Sequence, residues 1–154
     1  MRILMAVLGV AILACGGRRV SQIPEPDTPN AALGQFLSAI KDHNRQRVAE
    51  LWGNKKGSLH SRGQLPPAYE DSLIQVFEVY LQHDGYRIID GPVPVIGVPD
   101  VVSYHVELQL PNCNRIQPID LVHTNQGGWL VVNVHLEVAA QRIPRCQREG
   151  GNPN

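Results

Sequence analysis

The side chains that come closest to a metal-binding or acid–base arrangement are histidines, carboxylates and amides in the second half of the chain. The sequence contains 6 histidines. His105 and His135 alternate with apolar residues, so they fall on the outward faces of predicted strands. If the strands pair through the tight turns between them, one patch gathers six polar residues: His105, Glu107, Asp120, Asn133, His135 and Glu137.

This patch lacks the spacing that is typical of metal sites and of known nucleophiles. The sequence has no HExxH or CxxC motif and no closely spaced histidine pair. Zinc needs three or four ligands that converge within about 2.0 to 2.3 Å. GxSxG and GxxxxGK[ST] motifs are absent as well. A solvated outer sheet face accounts for the same pattern, so we predict no metal, no cofactor and no catalytic residue here.

Cys15 stands where an apolar run ends. Arg2 precedes an uninterrupted apolar stretch from Ile3 to Leu13, and residues 1–14 therefore have the pattern of a secretory signal peptide. The run is too short for a transmembrane helix, which needs about 20 residues. The string Ile12-Leu13-Ala14-Cys15 resembles the lipobox of bacterial lipoproteins, and this resemblance implies that Cys15 becomes an acylated N-terminus. Ordinary secretion, with Cys15 removed or left as a free thiol, is the alternative.

Residues 15–27 follow as a tether with no apolar periodicity and several prolines. We predict a domain over residues 28–138 and a tail over residues 139–154. The acylated Cys15 places the protein in the bacterial cell envelope, with the membrane as its partner and the domain facing the periplasm or the exterior. Two or three acyl chains suffice for stable anchoring.

Cys113 and Cys146 remain once Cys15 is assigned to the anchor. The envelope is oxidising, so an even pair favours a disulfide bond. Cys113 lies in the predicted turn before the penultimate strand, and the last strand runs back toward that turn. We predict that this bond ties the tail to the domain. Two free thiols are the alternative.

The charge balance excludes one class of partner. The chain has 14 basic and 14 acidic residues. Nucleic-acid binding needs clustered lysines and arginines that displace counterions from phosphates. We therefore predict no nucleic-acid partner.

The first half of the domain has helical spacing. Thr28 and Pro29 are a capping residue and a first-turn proline, and the apolar spacing that follows predicts a helix to about Lys41. A shorter helix contains Val48, Leu51 and Trp52. Residues 53–64 are a predicted loop. Pro66-Pro67 opens a third helix, which ends at Asp84-Gly85 and has this apolar stripe: Tyr69, Leu73, Val76, Phe77, Tyr80 and Leu81.

The second half has strand alternation and tight turns. Residues 86–98 predict a proline-interrupted edge strand. Residues 101–110 and 115–124 predict two further strands, and residues 129–138 predict a last one. Consecutive tight turns indicate an antiparallel meander. The predicted class is α+β, with N-terminal helices packed on a curved antiparallel sheet.

Three helices followed by a meander ending in G-G-W-L-V-V-N-V resemble the cone-shaped domain of nuclear transport factor 2, ketosteroid isomerase and polyketide cyclases. The opening T-P-N-A-A-L-G-Q-F-L-S-A-I is similar to bacterial lipoproteins of unknown function built on that cone. A cystatin-like single helix on a sheet is the structural alternative. The resemblance implies a pocket on the concave face of the sheet, and these residues are predicted to line it: Tyr104, Val106, Leu108, Leu121, Val132 and Val134.

The predicted pocket face offers no acid or base, so the isomerase residues have no counterpart here. Asp90, Tyr80 and Tyr86 are the nearest candidates, but Asp90-Gly91-Pro92 is an ordinary turn sequence. We expect a non-catalytic binding or structural module that takes a protein partner or a small apolar ligand. A lyase, isomerase or hydrolase using a pocket Asp or His is the alternative. A homodimer through the sheet is a further expectation, with an outer apolar patch of Val122, Trp129 and Val131.

Overall fold

A computed structural model describes residues 24–140 of the chain. The predicted signal peptide, Cys15, most of the tether and nearly all of the tail with Cys146 lie outside these residues. The elements follow the order helices first, strands after: α1 (Pro29–Lys41), α2 (Arg45–Leu51), β1 (Gly53–Asn54), β2 (Gly57–Ser58), α3 (Pro67–Leu81), β3 (Gly85–Pro94), β4 (Val101–Leu110), β5 (Cys113–His123) and β6 (Trp129–Asn133).

The first two helices begin at capping side chains. Thr28 Oγ1 accepts a hydrogen bond from the backbone N–H of Ala31 at 3.2 Å, and Pro29 occupies the first turn, where its missing N–H leaves no bond unmade. Asn44 caps α2 by accepting from the Arg47 N–H at 3.1 Å. His43, between the two helices, has φ 53 and turns the chain sharply. The predicted start of α1 is confirmed.

Helix α3 begins at Pro67, but its buried face differs from the predicted stripe. Ile74, Phe77 and Leu81 are its buried residues, whereas Tyr69 is largely exposed. The spacing of three and four residues selects Ile74 because it stands on the same side as Phe77 and Leu81. Phe77 packs against Phe36 of α1 and Trp52, with ring centroids 6.0 and 4.7 Å apart.

The sheet is an antiparallel meander in the order β3-β4-β5-β6. The predicted α+β class, with N-terminal helices on an antiparallel sheet, is confirmed. Strand β3 lies at one edge, as its prolines predict, and two register shifts interrupt its pairing with β4. At the other edge Trp52 forms a parallel bridge with Val131 of β6. A two-stranded hairpin, β1 with β2, occupies part of the predicted loop.

Strand β6 ends at Asn133, five residues before the predicted end, and residues 136–140 are helical. Its pairing with β5 extends only from Asp120 to His123. Pro118, two residues before Asp120 in β5, has no N–H that could donate another inter-strand hydrogen bond. The amide of Gln117 instead donates to the carbonyl oxygens of Val134 and, at 3.1 Å, His135. The Gln117 side chain thus takes the place of a backbone partner for residues 134 and 135, and the chain leaves the sheet after Asn133.

A register shift between Asp120 and Leu121 also changes which β6 side chains face the helices. Val131 pairs with Leu121 and belongs to the core, whereas Val132 lies outside the core cluster and is only half-buried. Strict alternation predicted the opposite assignment for these two valines. The bulge adds one residue and so reverses the order of faces.

Candidate functional site

The concave face of the sheet is filled. Tyr104, Val106 and Leu108 of β4 and Leu121 of β5 have no exposed surface, and Val134 is also buried. They pack in one cluster with the apolar faces of the three helices. Five of the six predicted pocket residues are therefore core residues, and Val132 is the exception. Neither of the two grooves described below is lined by any of the six.

Tyr104 carries the one hydroxyl among these six side chains. Its hydroxyl hydrogen-bonds to the side-chain oxygen of Asn30, at the start of α1. Burial raises the pKa of Tyr104 above its ordinary value. The phenol is thus held neutral and bonded within the protein, which makes it a structural link between β4 and α1.

Two open grooves lie on the surface. One, of about 440 Å³, separates α1 from Tyr86 of β3 and includes Ser38, Asp42 and Arg47. The other, of about 570 Å³, lies under the β3–β4 hairpin loop, with Trp129 of β6 as one wall. The second groove is lined mainly by valines and prolines. Tyr86, one of the predicted proton donors, lines the first groove.

The outer face carries a polar cluster of Asp120, Asn133, His135 and Glu137. Asp120 pairs with Asn133 across β5 and β6, as the predicted turn between those strands requires. His135 Nε2 lies 2.7 Å from Asp120 Oδ2, and its Nδ1 lies 3.0 Å from Glu137 Oε1. His105 is not part of this cluster, since it pairs with Pro118 and lies 3.9 Å from Asp90.

The two carboxylates favour the protonated form of His135. Burial lowers the pKa of the imidazole, but hydrogen bonds from it to Asp120 and Glu137, together with their charges, outweigh burial and raise the pKa above its usual value. In the protonated ring both nitrogens donate to carboxylates. That form has no lone pair left to accept a further proton. The cluster therefore acts as an ion-paired clamp between β5 and the chain after β6.

The backbone at His135 is itself constrained. Its φ is 46, in the left-handed region, and its N–H donates to Asn133 Oδ1 at 3.2 Å. A residue with a Cβ adopts this conformation at a cost, so surrounding contacts must hold it. Gln117 and Asp120 supply those contacts from the inner and outer sides of β5.

Two basic side chains, Arg115 and His83, are buried near the other end of the sheet, where β5 begins. Arg115 donates to the carbonyl oxygen of Tyr80 at the end of α3. His83 Nδ1 donates to the carbonyl oxygen of Leu81 at 2.7 Å. Burial lowers the pKa of both groups. Among residues 24–140, Arg115 Nε and His83 Nε2 are buried and have no hydrogen-bond partner.

Sequence reasoning did not identify Arg115 or Gln117 as buried polar residues. The signal was present, since both stand in the same alternating row as Ile119 and Leu121. Polar residues in phase with an apolar row are buried when a backbone carbonyl lies within reach. Here Tyr80, Val134 and His135 supply those carbonyls.

The remaining predicted sites have these positions. Cys113 is the half-buried first residue of β5. Its pairing with Cys146, like the acylation of Cys15, involves residues outside the range 24–140 and stays a prediction. Val122 is buried and Val131 faces the core, so only Trp129 of the predicted outer apolar patch is partly exposed.

In the described part of the chain, no group of three or more His, Cys, Asp or Glu side chains has a geometry that could hold a metal ion. Over the same part, no helix has the length and apolarity to span a bilayer.

Two solved structures are among those that resemble this chain. A Campylobacter jejuni protein designated an NTF2-like transpeptidase is 11% identical with a TM-score of 0.45, covering 69% of this chain and 99% of that chain. A Shewanella frigidimarina protein designated a ketosteroid isomerase is 14% identical with a TM-score of 0.42, covering 68% and 89%. These likenesses give no information on activity. No protein-family model and no curated protein matches the chain.

Proposed function

We propose that this protein is a membrane-tethered module of the bacterial cell envelope that binds a partner on its surface without catalysing a reaction. The filled concave face carries this proposal. Its buried side chains are aliphatic and aromatic, and the one hydroxyl among the predicted pocket residues is bonded to Asn30. An enzyme of this architecture needs room for a substrate beside a group that exchanges protons.

The ionisable groups of the sheet support the same conclusion. Asp120 and His135 form the closest carboxylate–imidazole pair within the sheet region, but neither lines a groove, and both ring nitrogens of His135 contact carboxylates. Asp90 and His105 lie 3.9 Å apart on the outer face with about half or more of each side chain exposed. Neither pair lines either groove, and it is in a cleft that a shifted pKa points to catalysis.

The anchor is tested by replacing the cysteine that is predicted to carry it. We expect the full chain, expressed in a bacterial host, to fractionate with membranes and to carry a diacylglyceryl mass on Cys15. Cys15→Ala should lose the lipid mass and remain an uncleaved precursor, because the modified cysteine is what the resemblance places at the cleavage site. Cys113→Ser is the matched control and should keep the lipid. A soluble, unmodified wild-type chain would refute the anchor.

The filled core is tested with an apolar probe such as benzene or xenon. A closed core offers no room, so the wild-type protein should show no saturable binding. Leu121→Ala and Val106→Ala each remove methyl groups from the core and should open a dry cavity that takes up the probe. Stoichiometric binding by the wild type, lost when Val106 is enlarged to Phe, would show an open pocket and would support the enzyme.

A further inference from the structure

The loop between β3 and β4 exposes apolar side chains at its tip. Residues 91–99 read G-P-V-P-V-I-G-V-P and contain no charged residue. Ile96 is 99% exposed, and Val93 and Val98 are about half exposed. A fully exposed isoleucine flanked by exposed valines forms an apolar surface patch, and such patches mark sites of interaction with a partner or a membrane.

The tip is well ordered in its hydrogen bonding. Val95 N–H donates to the Val101 carbonyl at 3.0 Å, and Val98 N–H donates to the Val95 carbonyl at 3.2 Å. Gly97, at φ 79, provides the turn that the backbone requires. Trp129 closes the groove beneath the tip. Val95 and Val98, the neighbours of Ile96 in the tip, line this groove together with the indole ring.

The N-terminal end of the described chain lies at the same end of the molecule. The Trp129 N–H donates to the Pro26 carbonyl at 2.9 Å, and the Thr124 hydroxyl bonds Glu25 at 2.5 Å. The nine residues 15–23 that lead from Cys15 can span at most about 30 Å. An acyl chain on Cys15 would hold the start of the described chain, and with it this end of the domain, close to the bilayer surface.

The charges at this end favour apolar rather than electrostatic contact. Lys55 pairs with Asp100, which flanks the tip. Glu25 is bonded to Thr124, and Lys56 and Asp27 are exposed and opposite in sign. Arg62 donates to Asn54 of β1, so positive and negative charges are mixed at this end. The surface thus presents no strong field of either sign, and insertion would depend on the apolar side chains and Trp129. Tryptophan is enriched at membrane–water interfaces.

We propose that the hairpin tip, residues 93–98 with Trp129, is a second membrane contact that inserts into the interface of the bilayer to which Cys15 is anchored. This inference rests on the proposed membrane tether. The contact fixes the orientation of the domain. It directs the far end, with the C-terminal end of α3 and the β4–β5 turn, away from the membrane.

Photo-crosslinking tests this contact. The full chain is prepared with p-benzoylphenylalanine in place of Ile96, and a matched variant carries it in place of Ile116, an exposed apolar residue of β5 toward the opposite end. Both are incorporated into vesicles of phosphatidylethanolamine and phosphatidylglycerol and irradiated. We expect phospholipid adducts several-fold more abundant at position 96 than at 116, at low and high salt alike.

Equal lipid adducts at the two positions, no lipid adduct at 96, or an adduct at 96 to a second copy of the chain or to another protein would overturn the proposal. The mass of the N-terminal peptide is read in the same samples. Absence of the acyl group refutes the tether alone, and a lipid adduct confined to position 96 would still support the contact. An acylated chain without that adduct refutes the contact alone.

Discussion

His135 connects β5 to the segment after β6 through its side chain rather than through backbone pairing. Its ring spans Asp120 on β5 and Glu137 beyond β6, while its own backbone is in the left-handed region. The two carboxylates stabilise the protonated ring in the folded state. Protonation of His135 is therefore coupled to folding.

This coupling predicts a pH dependence of defined sign. The folded-state pKa of His135 is raised, so its contribution to stability is complete below the unfolded pKa of about 6.5 and is lost as pH rises through the folded pKa. We expect His135→Asn to unfold in urea with about 1 kcal/mol less free energy than the wild type at about pH 5.5. The difference should diminish at about pH 8.5. A difference that is constant with pH would refute the clamp.

His83 predicts the opposite dependence. Burial lowers its pKa, and the positive charges of Lys41 and Arg115 lower it further, against the raising effects of the Leu81 carbonyl and Asp84. Its neutral form therefore stabilises the fold above pH of about 6.5, and this contribution is lost as pH falls through the folded pKa. In urea titrations, His83→Gln should lose less stability on acidification than the wild type. A steeper acid loss in this variant would contradict the assignment.

At the level of single elements, Gly91 is a position in β3 where the backbone and the space around it both require glycine. Its φ is 117, and a Cβ there would lie 2.7 Å from Tyr104 Cδ1 and 2.8 Å from the Ser103 carbonyl oxygen. Gly97 also has a positive φ, but a Cβ on it would meet nothing within 4 Å. It is therefore a control for backbone strain without a clash.

We expect Gly97→Ala to lower the free energy of unfolding by about 1 kcal/mol, the cost of a left-handed residue with a Cβ. Gly91→Ala should cost about 3 kcal/mol, because the clash with the core is added to that strain. Chemical denaturation of the two variants measures both values. Equal losses would mean that β3 moves away from Tyr104 without resistance.

Elements with local signals were predictable, and elements set by distant partners were not. Thr28-Pro29 predicted the first residue of α1, and alternation predicted β4 from Val101 to Leu110. The end of β6 depends on Pro118 and Gln117, which are distant in sequence, and the bulge at Val132 has no local mark. For the polar cluster, strand pairing predicted Asp120 beside Asn133. The ring position of His135 follows from a left-handed turn that alternation does not reveal.

On the scale of the whole molecule, different segments of the chain lie at the two ends of the sheet. The N-terminal segment, the β1–β2 turn, the β3–β4 loop and the β5–β6 turn meet at one end, as the Trp129–Pro26 and Asn125–Lys55 backbone bonds show. The β4–β5 turn with Cys113 lies at the other. Strand β6 runs toward that second end, which is the direction that the predicted Cys113–Cys146 bond requires.

The predicted disulfide has a stability signature that distinguishes it from two free thiols. Closing a loop of about 34 residues contributes about 3 to 4 kcal/mol in the chain-entropy model. Cys113→Ser and Cys146→Ser should each lower the free energy of unfolding by about that amount, and the double variant should lose no more than either single one. Additive losses, or two thiols that react in the denatured, non-reduced protein, would refute the bond.

The open side of β3 determines how the protein behaves when many copies are crowded together. Strand β3 exposes the apolar side chains of Ile88, Ile89 and Val93. An uninterrupted edge strand with such side chains could pair with the backbone of a second copy and begin a fibril. Pro92 and Pro94 have no N–H, so the strand has two fewer hydrogen-bond donors. The two register shifts also interrupt the regular spacing of its backbone groups. These features make the exposed apolar edge of β3 a poor template for polymerisation.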